Sequence, residues 1–175
     1  AFTDRVEAWV PPRKGVRHAL RLVRDALALP APHEGTAPAA ALDFASTAVR
    51  RHAIVFLVSD FLMEGWQRPL ARCALRHDVV AVRLATPAMQ GRLERLVRVR
   101  DPETGRETVL DFASRRVQRA WNARLAAWRE RTDEALTRAR VDTIDVAIPT
   151  ERSPDAIAAP ILRFFRMREQ RRRGR

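Results

Sequence analysis

Residues 53–58, Ala-Ile-Val-Phe-Leu-Val, place six apolar side chains in a row and then stop on Ser59 and Asp60. A strand with one wet face alternates apolar and polar residues. A run with no alternation is the mark of a strand covered on both faces, as in a parallel sheet with helices above and below. This run is therefore expected to be an interior strand of such a sheet, delivering Asp60 to the rim where its strand ends.

The rest of the chain repeats the theme. Asp-Val-Val-Ala-Val-Arg-Leu at 78–84 follows a helical stretch at about 65–76, and Asp-Thr-Ile-Asp-Val-Ala-Ile at 142–148 follows a longer one at about 114–140. Helices alternating with short β-branched strands specify right-handed crossovers, so the expected fold class is α/β: a Rossmann-like, mainly parallel sheet flanked by helices. Segment 94–112 breaks the rhythm with two alternating runs around Asp101-Pro102-Glu103-Thr104-Gly105. Proline early and glycine late make that a tight turn, and the segment reads as an inserted β-hairpin.

Ahead of the first apolar run, Arg5 to Val10 alternate as a half-buried strand should, until Pro11 and Pro12 remove two backbone donors. Val16, Leu20, Val23 and Leu27 then recur at helical spacing, giving an amphipathic helix that ends before a proline- and glycine-rich loop at 30–38. A second helix at about 39–51 packs through Leu42, Ala45 and Val49. In the long helix, Val117, Trp121, Leu125, Trp128, Ala135 and Ala139 form one stripe, and tryptophans one heptad apart on such a stripe usually fill core. Ser153 and Pro154 suit the start of a last helix, which Pro160 must kink or restart; Ile161, Leu162, Phe164 and Phe165 bury one side. A basic tail at 166–175 reads as a frayed helix end.

A chain of 175 residues suits one domain with a single core, here 1–175. Its longest apolar run is far below the roughly 20 residues of a membrane span. The opening Ala1-Phe2-Thr3-Asp4 reads like the end of a strand already under way, so the domain is expected to be N-terminally incomplete. One cysteine, Cys73, makes no internal disulfide; it reads as a buried small hydrophobe and suggests a reducing cytoplasm, with membrane association through an upstream anchor as a further expectation for the full-length protein.

The formal charge of +12 would suit nucleic acid, acidic lipid or an acidic protein. The arginines are scattered, however, and no helix-turn-helix, zinc-finger or aromatic ribonucleoprotein pattern accompanies them. Enzymatic signatures are missing too: no Gly-x-x-x-x-Gly-Lys loop, His-Glu-x-x-His pair or Gly-x-Ser-x-Gly elbow occurs. His18, His33, His52 and His77 lie in separate segments and read as surface or cap residues.

Asp60 remains. In open α/β sheets ligands gather at the carboxyl ends of strands. A carboxylate there either caps a helix, holds a backbone turn, or joins other hard oxygens around a cation such as magnesium.

The blocks Phe-Thr-Asp-Arg-Val-Glu-Ala-Trp-Val-Pro-Pro-Arg-Lys-Gly (2–15), Gly-Thr-Ala-Pro (35–38), Val-Phe-Leu-Val-Ser-Asp-Phe (55–61), Arg-His-Asp-Val-Val-Ala-Val-Arg-Leu (76–84), Arg-Asp-Pro-Glu-Thr-Gly (100–105) and Arg-Phe-Phe-Arg-Met-Arg-Glu-Gln-Arg-Arg-Arg (163–173) together resemble the bacterial family called domain of unknown function fifty-eight, whose members resemble von Willebrand factor A domains. The resemblance implies a von Willebrand A-like sheet, genomic neighbourhood with MoxR-type AAA+ ATPases, and a role as interaction partner instead of catalyst. It further implies a divalent-cation site built from an Asp-x-Ser-x-Ser loop, a threonine and a later aspartate. Thr36 and Asp60 map onto the last two, the Asp-x-Ser-x-Ser block occurs nowhere in the chain, and Gly35-Thr36-Ala37-Pro38 stands where relatives often present Gly-Thr-Asp-Leu. The expectation is a vestigial or incomplete site with no cofactor or weakly bound magnesium, and a partner-facing rim of Gly35, Ser59 and Phe61. The expected function is a non-enzymatic adaptor working with a MoxR-type ATPase; the alternative is a basic protein that binds nucleic acid or an anionic surface.

Overall fold

The apolar runs become three parallel strands in the computed structural model, which describes residues 1–3, 5–29, 37–86, 95–100, 105–149 and 153–173. In chain order the elements are α1 (Val16–Ala28), α2 (Pro38–Ala48), β1 (Ile54–Ser59), α3 (Gln67–Ala74), β2 (Asp78–Ala85), β3 (Leu96–Arg100), β4 (Glu107–Asp111), α4 (Arg115–Arg138), β5 (Asp142–Ala147) and α5 (Pro154–Arg173). The main sheet has the order β1-β2-β5, all parallel, with Leu57 opposite Ala81 and Val82 opposite Ile144. The expected α/β architecture is thus present. The expected hairpin is the antiparallel pair β3-β4, registered from Leu96 opposite Asp111 to Arg100 opposite Glu107; its turn at 101–104 lies outside the described residues.

Residue parity along the strands sorts the core into two layers. Leu57, Val79 and Ala81 face a core built with Leu42 of α2, Leu70 and Cys73 of α3, and Leu136 of α4. Val80, Val82, Ile144 and Val146 face α5 through Phe164. The second layer is pinned at the start of the strands, where Arg168 of α5 reaches both oxygens of Asp78 at 2.7 Å and Asp142 at 2.9 Å. The hydrogen bond from Arg168 holds the Asp78 carboxyl below its ordinary value against the opposing pull of partial burial.

Three expectations need correction. The strand at 54–59 is an edge of the described sheet and not an interior member: Val55 and Leu57 turn into the core, whereas Ile54, Phe56 and Val58 on the other face are exposed. The missing alternation reports correctly that both faces are apolar, but α5 lies over β5 and touches β1 through the Phe165–Phe56 ring pair at 5.9 Å. Arg5 to Val10 form no strand, because among the described residues no ladder lies beside them; a single bridge from Phe2 to Val6 replaces it. The expected amphipathic helix is present as α1, with its apolar stripe exposed. His77 is a buried residue, not a surface or cap residue, and neither ring nitrogen has a hydrogen-bond partner.

Smaller differences follow from packing. The tail expected to fray from 166 continues as helix to Arg173, since Arg168 anchors it to the sheet. Pro160 sits inside α5 without ending it. On that helix Phe164 is buried and Ile161 half-buried, while Leu162 and Phe165 stay largely exposed.

Candidate functional site at the carboxyl rim of the sheet

β1 ends on Ser59, and the chain then makes a tight turn whose geometry its side chains dictate. Phe61 adopts φ 59°, a left-handed conformation that costs a non-glycine residue roughly 1–2 kcal/mol. Three hydrogen bonds hold it there. The Phe61 N–H donates to Ser59 Oγ at 3.0 Å, the Leu62 N–H donates to Asp60 Oδ1 at 3.1 Å, and Trp128 Nε1 of α4 donates to the Phe61 carbonyl at 2.9 Å. The Phe61 ring meets Trp66 edge-on at 5.0 Å and is only 1% exposed.

Asp60 therefore holds a backbone turn, the Asx geometry in which a side-chain oxygen replaces a backbone acceptor. Ser59 is spent likewise, its Oγ accepting from Phe61 and lying 3.3 Å from Met63 Sδ. The consequence is a fixed rim. Phe61 goes inward, which removes its ring from the expected partner-facing set, and Leu62 stands out at 52% exposure. Sequence reading missed Leu62 because in Asp60-Phe61-Leu62-Met63 only the left-handed turn decides which apolar side chain faces solvent.

One rung before the rim, Ser59, Arg83 and Asp145 lie side by side across the sheet. The Arg83 side chain is 4% exposed and reaches Asp145 Oδ1 and Asp133 Oδ1, both at 2.6 Å; Arg129 adds a contact to Asp145 Oδ2 at 3.3 Å. Burial alone would lower the Arg83 pKa, but the hydrogen bonds that Arg83 donates to Asp145 and Asp133 outweigh it and hold the guanidinium above its ordinary value. Asp145 shows the converse, with burial pushing its carboxyl up and Arg83 pulling it further down. The cluster locks α4 to β2 and β5 beneath the rim.

With Trp128 level with Phe61, the earlier turns of α4 carry it roughly 10 Å further by Trp121 and roughly 15 Å by Gln118 at about 1.5 Å per residue. There Trp121 meets Phe112 edge-on at 5.5 Å and Gln118 Nε2 donates to the Phe112 carbonyl at 2.6 Å, tying the end of the β3-β4 hairpin to the helix. Trp128 packs against the main core, as its place in the stripe suggests, while Trp121 serves the hairpin.

For a divalent cation the described residues offer little beyond Asp60. Its Oδ1 is engaged in the turn, and no group of three or more His, Cys, Asp or Glu is placed to hold a metal ion among the described residues. Magnesium asks for a near-octahedral shell of hard oxygens, which one carboxylate does not supply. Gly35 and Thr36 lie outside the described residues, so their position relative to Asp60 is not part of this geometry.

The chain is thus an α/β protein whose first strand leads into an aspartate that holds a backbone turn. The profile of the family described as protein of unknown function DUF58 matches residues 1–131. The chain belongs to that family. It is 33% identical over 81 residues to uncharacterized protein Mb1516 of Mycobacterium bovis and, to the same extent, to uncharacterized proteins MT1527 and Rv1480 of Mycobacterium tuberculosis. The matched stretch covers 45% of this chain but 26% of each relative, so the chain spans only a minor part of their length. No solved structure matches it.

Proposed function

We propose that this chain is a non-enzymatic protein-interaction module that works with a MoxR-type AAA+ ATPase, using the rim after β1 as docking surface. The observation that carries this reading is the commitment of Ser59, Asp60 and Trp128 to one rigid turn. Groups placed for catalysis need a nucleophile, acid or base directed at a substrate. Here the polar side chains at the strand end face the backbone and present an exposed leucine, the kind of anchor a protein partner desolvates. The matched family is described as one of unknown function, so the interaction role and the ATPase as partner rest on the resemblance set out above. Any cation at Asp60 would be weak and dispensable.

Co-expression with a MoxR-type ATPase from the same genome and affinity capture of this chain tests the proposal. Co-purification that persists in EDTA and is lost with Leu62→Asp supports it. Failure of the ATPase to co-purify, with magnesium or without, removes it.

A further inference from the structure

Helix α1 is exposed along its length: among its residues none is buried, and Val16, Leu20, Val23 and Leu27 are 75%, 64%, 58% and 84% exposed. At 100° per residue these four fall within about 60° of arc, a continuous apolar stripe three turns long. Arg24, Arg17 and Arg21 follow along one side of that stripe, at about 70–130° from its centre. Residues 13–28 carry five Lys or Arg side chains against the single carboxylate of Asp25, a local charge of +4. Asp25 is itself held by Arg21 at 3.1 Å and Arg24 at 2.8 Å, which fixes two of the guanidiniums beside the stripe.

Leu22 and Ala26, on the side opposite the arginines, border a cleft with Ala8, Trp9 and Val10 of the N-terminal segment. That side is the one turned toward the protein. Trp9, whose ring meets Phe44 edge-on at 5.2 Å and is 46% exposed, lines the same cleft. An apolar stripe on a short helix, arginines along one flank and a neighbouring tryptophan match the requirements of a helix lying in the headgroup layer of a bilayer, where apolar side chains enter the acyl boundary and guanidiniums meet lipid phosphates.

From this we infer that α1 docks on an anionic phospholipid surface, its stripe in the interface and Arg17, Arg21 and Arg24 on the headgroups. Charge complementarity selects the occupant. A protein groove would accept the stripe without needing the arginine flank, and a nucleic acid would use the arginines without needing the stripe. No helix among the described residues is long and apolar enough to cross a membrane, so this is attachment in the plane of the surface. The inference is independent of the reading of the Asp60 rim.

Co-sedimentation with large vesicles tests it, using the whole chain and vesicles of phosphatidylcholine alone or with a third phosphatidylglycerol. The expected result is binding to the anionic vesicles that weakens at least tenfold between 50 mM and 300 mM salt, with little binding to phosphatidylcholine alone. Because the stripe is exposed, Leu20→Glu with Leu27→Glu leaves the far-ultraviolet dichroism unchanged and lowers vesicle binding at least tenfold. Arg17→Ser with Arg21→Ser shifts the salt dependence toward the neutral-vesicle level. Absence of binding at low salt, or binding that survives the double glutamate variant in a correctly folded protein, overturns the inference; the second result would mark a bare polyanion site.

Discussion

The indole of Trp128 donates its N–H to the carbonyl of Phe61 at 2.9 Å, joining the last half of α4 to the turn that ends β1 across 67 residues of sequence. Phe61 needs such a partner because its backbone is left-handed and its carbonyl lies beside a buried ring. Replacing Trp128 with Phe keeps most of the apolar contact and removes the donor. The expected loss is about 1–2 kcal/mol, read as a lower urea midpoint at an unchanged slope. An unaltered midpoint would show that the turn stands without α4.

Asp60 separates a structural from a metal-binding role by chemistry alone. Asn keeps an oxygen for the Leu62 N–H, whereas Ala does not. Asp60→Ala is expected to cost about 1 kcal/mol and Asp60→Asn less than about half of that, in EDTA as in magnesium. Calorimetric titration with magnesium is expected to give weak or no binding. A tight site abolished by either substitution would restore the cation to the centre of the account.

The Arg168–Asp78 pair carries a pH dependence whose sign is fixed by its direction. The carboxyl lies below its ordinary value of 3.8 in the folded protein, chiefly through the hydrogen bonds from Arg168. Its stabilising contribution is therefore complete above that ordinary value and is lost as pH falls through the lower folded value. Arg168→Met should cost about 1–2 kcal/mol at pH 7, allowing for the partial exposure of the pair, and its penalty should shrink in acid below pH 4. A penalty that is constant from pH 7 to the acid limit would place the loss in packing alone.

His77 is buried with both ring nitrogens unpartnered. An unsatisfied buried polar group costs about 1–3 kcal/mol, so an apolar residue of similar size should do no worse. His77→Leu is expected to leave stability unchanged or raise it by up to about 1 kcal/mol in thermal or urea unfolding. A loss of more than 1 kcal/mol would mean that the imidazole has a partner the geometry does not reveal.

The legible part of this fold was what periodicity and breakers encode. Val79 to Val82 and Ile144 to Val146 read as sheet because β-branched runs followed helical stretches, and Pro102 with Gly105 marked the hairpin. The edge position of β1 was not legible, since Ile54, Phe56 and Val58 announce an apolar face but not what covers it. The same holds for Val16, Leu20, Val23 and Leu27, where amphipathicity is a local property and packing is not. His77 escaped because its burial comes from the tertiary contacts around the end of α3. At the site, Asp60 was legible as a strand-end carboxylate; the inward Phe61 and outward Leu62 were not, because a positive φ at a phenylalanine has no signature in composition or spacing.

Calorimetric titration of a MoxR-type ATPase into this chain, carried out in EDTA, tests the docking role of the rim most directly. The account predicts saturable binding that Asp60→Asn leaves intact and Leu62→Asp weakens at least tenfold. No binding, or binding that returns only with magnesium and disappears in Asp60→Asn, would contradict it.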